Sequence, residues 1–284
     1  MRVGKIVKSV AGFYDVKDFE DKQTYRVRGS GKLRLLDMKP IVGDNVEFEP
    51  GEFINRIYGR TNFFIRPKIA NVDQAIVVMS LVEPEFSSML VDKFLIIIEN
   101  KNVEPIIVLT KKDLTSESKI NFYKEQGYKV FEINYQDHTG FEGLSDIFRH
   151  KTSFFVGQTG VGKTTLINYL AKTNFETQAI SKFLNRGKHT TREVSLINFN
   201  GGEIIDTPGF SSIEFDLTVD ELPTAFKMFR EASVKCKFRS CKHYMELEED
   251  CEVKRLVAKG VIKQERYENY VSFLKRLIEN KPKY

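Results

Sequence analysis

Long apolar runs are missing from this 284-residue chain. The best, FLIII at Phe94–Ile98, is one stripe of a helix and falls far short of the ~20 residues that span a membrane. The opening MRVGKIVKSV has no signal-peptide core, so a cytoplasmic protein with no membrane partner is expected. Cysteine is scarce, and an odd count of three argues against a disulfide framework. Internal repeats and low-complexity tracts are absent as well. What remains is a globular composition, 41% hydrophobic and 29% charged, which excludes wholesale disorder. The length suffices for one large domain or for two to three small ones.

Charge is spread unevenly. Residues 1–66 carry a net +4, residues 67–217 a net −3 and residues 218–284 a net +4. Basic ends suit a polyanion such as RNA, although a solvated basic surface explains the charge equally well. The same three spans are the expected domains. Between residues 1 and 66, GKIVKSVAGFYDV, TYRVRG, KLRLL, VGDNVEFE and FINRIY alternate like short strands broken by Gly, Asp and Pro. Five strands without a helix predict a small barrel of the oligonucleotide-binding (OB) type, or another five-stranded barrel of that size.

From Val72 the pattern changes to strands alternating with helices, which predicts a mostly parallel α/β sheet covered on both faces. DQAIVVMSL, EPIIVLT, YKVFEIN and TSFFVG read as strands. MLVDKFLIIIENKN, INFYKEQG, FEGLSDIFRH and KTTLINYLA read as helices, and EVSLINFN-GG-EIID as a strand hairpin. The chain beyond Val219 reads as helical apart from a Cys/His cluster, with a final helix over roughly Lys263–Glu279.

Gly157-Gln158-Thr159-Gly160-Val161-Gly162-Lys163-Thr164, followed by Thr165, fits G-x-x-x-x-G-K-[ST] between a strand and a helix. Glycines let the backbone wrap phosphates with its N–H groups pointing inward at a helix N-terminus. Lys163 reaches the β- and γ-phosphates, and the Thr164 hydroxyl suits magnesium bound with the nucleotide. Upstream, Thr110-Lys111-Lys112-Asp113 follows a buried strand. A carboxylate at Asp113 accepts from both N1–H and the 2-amino group of guanine, whereas adenine offers neither donor there. Thr110 stands where this motif usually has Asn, giving one contact where an amide gives two. In most proteins with both motifs the phosphate loop comes first.

Asp206-Thr207-Pro208-Gly209 closes a strand, so Asp206 is expected to hold magnesium through water and the Gly209 amide to sense the γ-phosphate. NRGKHTTREV has the look of a first switch, with Thr191, or else Thr190, as the γ-phosphate-sensing magnesium ligand. The next residue after D-x-P-G is Phe210, which can neither donate nor accept, so intrinsic hydrolysis is expected to be slow. His189 is the best local candidate to orient the attacking water; a structural or merely exposed histidine is the alternative. Finally, Cys236-x₄-Cys241-x-His243-x₇-Cys251 offers three thiolates and an imidazole, which fits one closed structural zinc site per chain. Three buried thiols would be the bland reading, but Lys235, Lys237, Arg239 and Lys242 mark the segment as exposed, where free thiols oxidise.

VGDNVEF, IRP, TKKD, GQTGVGKTTLIN, RGKHTTRE, DTPG and the Cys-Cys-His-Cys cluster, in that order, resemble the circularly permuted ribosomal small-subunit-dependent GTPases, the RsgA (YjeQ or YloQ) family. The resemblance covers essentially the whole chain. It implies a circularly permuted P-loop GTPase domain between an OB-type barrel and a mostly helical zinc domain. It also implies GTP hydrolysis stimulated by the 30S subunit late in its maturation, contacts to 16S rRNA through the two flanking domains, and a hydrolytic role for His189. One departure stands out: Asn134-Tyr135 replaces the usual Ser-Ala that backs the base. A monomer is expected, and a site that cradles guanine diphosphate is also open to ppGpp. The permutation cuts the chain just after the second switch, so the chain leaving Gly209 and Phe210 runs straight into the zinc segment. Two rivals remain at this stage. A P-loop kinase for a small metabolite would not need Asp113, and a nucleic-acid-binding module would use nucleotide only for its fold.

Overall fold

The computed structural model of the protein describes residues 1–173, 194–206 and 215–280. Its first unit is a five-stranded barrel: β1 (Arg2–Val10), β2 (Phe13–Asp18), β3 (Thr24–Gly29), β4 (Asn45–Phe48) and β5 (Phe53–Ile57). The strands follow one another as β1-β2-β3-β5-β4, and antiparallel pairing of β4 with β1 closes the ring. Alternation puts Ile6, Val16, Val27, Val46, Phe48 and Ile54 inside. The number of strands matches the expectation by two compensating differences. GKIVKSVAGFYDV is a hairpin of two strands, because Ala11 and Gly12 take positive φ and turn the chain. KLRLL is no strand: Gly31–Leu35 forms a short helix, α1. A strand would bury Leu33 and Leu35 on one face, whereas the structure buries Leu33 and leaves Leu35 90% exposed.

A two-stranded ribbon, β6 (Phe63–Phe64) and β7 (Ile69–Ala70), leads into the larger sheet. This sheet comprises β8 (Gln74–Ser80), β9 (Glu104–Thr110), β10 (Lys129–Glu132), β11 (Thr152–Val156), β12 (Val194–Phe199) and β13 (Gly202–Asp206), ordered β10-β9-β8-β11-β13-β12. All its pairings are parallel except β12 with β13, the hairpin at one edge. Every residue of β8 is buried, as expected of a central strand covered on both faces. Ala75, Val77 and Met79 face the core that includes Leu95 of α2 (Ser88–Asn100), while Ile76 and Val78 face Val161 and Leu166 on the other side. Two further helices are α3 (Ile120–Glu125) and α4 (Lys163–Thr173). FEGLSDIFRH departs from the expected helix. Gly140 and Gly143 take positive φ, and only Asp146–Phe148 makes a single 3₁₀ turn. Among the described residues no helix is long and apolar enough to cross a membrane.

The C-terminal segment is helical as expected: α5 (Lys227–Ser233), α6 (Glu252–Ala258) and α7 (Gln264–Glu279), with Lys263 as the N-cap residue of α7. Two joints tie the flanks to the central sheet. On one side β1 extends past the barrel to pair with β12, Lys8 opposite Ser195, and Lys5 Nζ reaches Glu203 Oε2 at 2.6 Å. On the other, α7 lies on α2 through a buried ionic cluster. Arg266, 0% exposed, meets Asp92 Oδ1 at 3.0–3.1 Å and donates to the Tyr128 hydroxyl at 3.0 Å. Its guanidinium lies 4.7 Å from the ring centroids of Tyr128 and Phe226. Asn269 Nδ2 donates to Asp92 Oδ2 at 2.8 Å, and Glu99 accepts from the Lys227 amide at 2.7 Å. Burial alone would lower the Arg266 pKa; the neighbouring Tyr128, Asp92 and Glu99 more than offset it, so the guanidinium stays charged.

Truncating Arg266 leaves the Asp92 charge buried without its counter-ion, which typically costs about 3–5 kcal/mol. Arg266→Ala is therefore expected to lose a few kcal/mol in urea unfolding. A loss under about 1 kcal/mol would show that this pair does not hold α7 to α2.

Candidate functional site

The phosphate-loop residues leave β11 and enter α4, as the sequence requires. Gly157 has φ +152°, and a Cβ there would sit 2.1 Å from the Val78 carbonyl oxygen, so no side chain fits between the loop and β8. Gly160 and Gly162 also take positive φ, which shapes a loop that L side chains would strain. Lys163 folds back on the loop, its ammonium donating to the carbonyls of Gly157 and Gln158, the latter at 2.8 Å. Burial lowers its pKa to about 8. Thr164 and Thr165 are exposed at the start of α4.

Thr110 ends β9 fully buried, and its hydroxyl bonds the Val161 carbonyl of the phosphate loop at 2.6 Å. This hydrogen bond stitches the two loops together. Lys111 adopts the left-handed conformation at φ +61°, turning the chain into the short 3₁₀ turn that contains Lys112 and Asp113. Its ammonium bonds the Glu83 carbonyl, and Lys112 Nζ caps the Ser116 and Glu117 carbonyls at 2.8 and 2.9 Å. Asp113 Oδ1 is buried and has no hydrogen-bond partner among the described residues. A buried carboxylate oxygen left in this state calls for a donor.

Asp206 ends β13, whose parallel register with β11 sets Ile205 beside Phe154, so Asp206 arrives at the phosphate-loop end of the sheet. His189, Thr190, Thr191, Gly209 and Phe210 lie outside the described residues. Phe215, the first described residue after Asp206, packs its ring 5.5 Å from Phe273 of α7, and Asp216 pairs with Lys101 at 3.1 Å.

Cys236, Cys241, His243 and Cys251 converge, their donor atoms all within 4.8 Å of one another. His243 Nδ1 lies 3.2, 3.3 and 3.8 Å from the sulfurs of Cys241, Cys251 and Cys236. Tetrahedral bonds of 2.0–2.3 Å give donor separations of roughly 3.4–3.8 Å, so these residues fit a metal ion. Burial lowers the His243 pKa, which keeps the imidazole neutral and free to coordinate, and it raises the Cys241 and Cys251 thiols. The Tyr267 hydroxyl donates to the His243 carbonyl at 2.8 Å and that of Tyr270 to the Lys242 carbonyl, so α7 holds the cluster in place.

Residues 57–216 match the RsgA GTPase family and residues 3–53 the RsgA N-terminal domain. The chain belongs to the RsgA GTPase family. It is 46% identical to the small ribosomal subunit biogenesis GTPase RsgA of Mycoplasmopsis agalactiae, over 99% of both chains. With the protein of the same name from Bacillus subtilis it shares 42% identity over the full length of both. Two solved structures superpose with TM-scores of 0.79. One is YloQ, described as a circularly permuted GTPase, at 38% identity over 100% of this chain and 97% of that one. The other is YjeQ from Thermotoga maritima, at 32% identity over 99% of both chains.

For this family member the sequence pattern marked the two loops that Thr110 joins and the four Cys/His residues that converge. It missed the stitch made by Thr110, because a serine or threonine at a strand end gives no sign of which carbonyl it will meet. The Arg266 cluster was missed too, since Asp92 and Tyr128, which its guanidinium bonds, lie more than 100 residues away in the chain.

The lowered Lys163 pKa has a pH consequence. Below pH 8 the free ammonium is already charged and ready for phosphate. As pH rises through 8, binding must first take up a proton, so affinity falls. GDP is expected to bind about threefold to fivefold more weakly at pH 8.5 than at pH 7. Lys163→Arg, which does not titrate in this range, is expected to lose that slope, and calorimetry at the two pH values checks both.

Proposed function

We propose that this chain is a GTPase of late 30S maturation, stimulated by the small subunit, acting in the cytoplasm as a monomer. The observation behind the nucleotide half is the orphaned Asp113 oxygen in a loop hydrogen-bonded through Thr110 to the phosphate loop. In this reading Asp113 accepts from N1–H and the 2-amino group of guanine, a demand that a metabolite kinase would not make. The backbone of Gly157–Thr165 cradles the phosphates, and Lys163 swings from the loop carbonyls to the β- and γ-oxygens. Magnesium, when bound with GTP, would supply positive charge to the phosphates. The Thr164 hydroxyl, Asp206 and Thr191 (or Thr190) are the residues that would hold it. The Gly209 amide senses the γ-phosphate, and ppGpp shares the cradle for a guanine diphosphate.

The ribosomal half rests on the full-length match to relatives named for small-subunit biogenesis. On the barrel, the Arg28 guanidinium lies 4.5 Å over the exposed Phe13 ring, with Phe53 across from it, a pairing suited to stacking on unpaired bases of 16S rRNA. Residues 1–66 and 218–284 are taken as the rRNA-contacting domains on either side of a GTPase domain at 67–217. Three thiolates with one histidine, closed by protein on all four sides, favour zinc in a structural role.

Phe210 cannot orient water, so His189 is assigned that task once the small subunit orders the switch. Free enzyme is expected to turn over GTP slowly, with strong stimulation by purified 30S subunits. A water-positioning group matters by about 10²–10⁴-fold, so His189→Ala should remove most of the stimulated rate while GTP binding and 30S association persist. Full stimulated hydrolysis in that variant would move the catalytic group elsewhere, and turnover indifferent to 30S subunits would sink the ribosomal reading.

A further inference from the structure

Cys241 and His243 reach the metal-binding cluster from one short loop, and the backbone of that loop is in an unusual state. His243 is fully buried at φ +55°, a left-handed conformation that L residues seldom hold without support. The Glu246 carboxylate supplies that support. One of its oxygens accepts from the Lys242 amide at 2.7 Å and the other from the Tyr244 amide at 2.8 Å, so a single side chain spans the two amides on either side of His243. Lys254 of α6 closes the turn from outside: its ammonium donates to the Tyr244 carbonyl at 2.8 Å and to the Glu246 carbonyl at 2.6 Å. Cys251 is the N-cap residue of α6, so Lys254 ties the loop of Cys241 and His243 to the element that carries Cys251.

A carboxylate binds backbone amides more strongly than a neutral acceptor does, and two such bonds from one planar group fix a peptide's orientation as well as its position. Metal ligands depend on the partners behind them, and a donor set gathered beforehand spares the ordering that binding otherwise requires. We propose that Glu246 is a positioning residue for the metal ion: its two-handed grip on the Lys242 and Tyr244 amides holds His243 in the left-handed conformation that turns Nδ1 toward the three sulfurs. Glu246 is not among the residues whose donor atoms converge, and both of its oxygens are taken up by amides. It therefore acts through the backbone and not as a fifth ligand. The inference rests on the reading of the cluster as a zinc site and adds what keeps that site assembled.

The test is a zinc competition on the full chain. Zinc-loaded protein is titrated with a chromogenic chelator, and the metal transferred is read by absorbance. Glu246→Gln keeps the shape of the side chain, but its amino group meets one of the two amides donor to donor. It should bind zinc roughly 10- to 100-fold more weakly than wild type, with GDP affinity unchanged. Glu249→Gln, which removes an exposed carboxylate from the same segment, should hold zinc like wild type. Cobalt exchanged into wild type and Glu246→Gln should give one tetrahedral thiolate spectrum at saturation, since the ligands themselves are untouched. Equal zinc affinity in Glu246→Gln and wild type, an equal loss in Glu249→Gln, or loss of GDP binding together with zinc overturns the inference. The carboxylate is then an idle cap, a source of bulk charge or a general stabiliser. A changed cobalt spectrum overturns it too, by making Glu246 a ligand. Wild-type protein that carries no zinc from a reducing purification is a different failure, that of the zinc reading itself.

Discussion

A single buried hydrogen bond, from the Thr110 hydroxyl to the Val161 carbonyl, joins the end of β9 to the phosphate loop. It ties the glycine-rich loop before α4 to the loop that carries Asp113. A carbonyl in that loop has no helical partner, and burial makes leaving it unpaired costly. Gly157 pressed against the Val78 carbonyl clamps the other flank of the same loop. Between them these contacts make β8, β9 and the loop one rigid wall, on which Lys163 and Asp113 are placed before any nucleotide arrives.

The permuted order leaves that wall intact because sheet pairing does not depend on where the chain begins. It changes what is attached to the edges instead. The barrel strand β1 continues into the sheet beside β12, the first described strand after residues 174–193. Phe215 and Asp216 are pinned to α7 and to the end of α2, and the Asp92–Arg266 cluster locks those two helices together. The regions read as switches are thus each followed directly by a segment bonded to a flanking unit.

Much of this was legible from local pattern. Buried strands announce themselves by continuous β-branched and aliphatic runs, as in QAIVVMS and EPIIVLT, and the glycine loop by its spacing. The Cys/His cluster was legible because few arrangements other than metal binding gather those four residues. Two elements misled: KLRLL, where one buried leucine in a short stretch fits a helical turn as well as a strand, and FEGLSDIFRH, where positive-φ glycines break an apparently helical pattern. Long-range partners were not legible. Neither Thr110 meeting Val161 nor Arg266 meeting Asp92 leaves a mark in the residues around it.

The most direct measurement of this account is the GDP affinity of Thr110→Val, which keeps the shape of the side chain and deletes its hydroxyl. If the base loop and phosphate loop act as one wall, the unpaired Val161 carbonyl lets the loop drift, and ordering it on binding costs about 1–2 kcal/mol, so GDP should bind roughly tenfold more weakly. The metal-binding segment should be unaffected. Wild-type GDP affinity in that variant would contradict the claim that this hydrogen bond sets the geometry of the site.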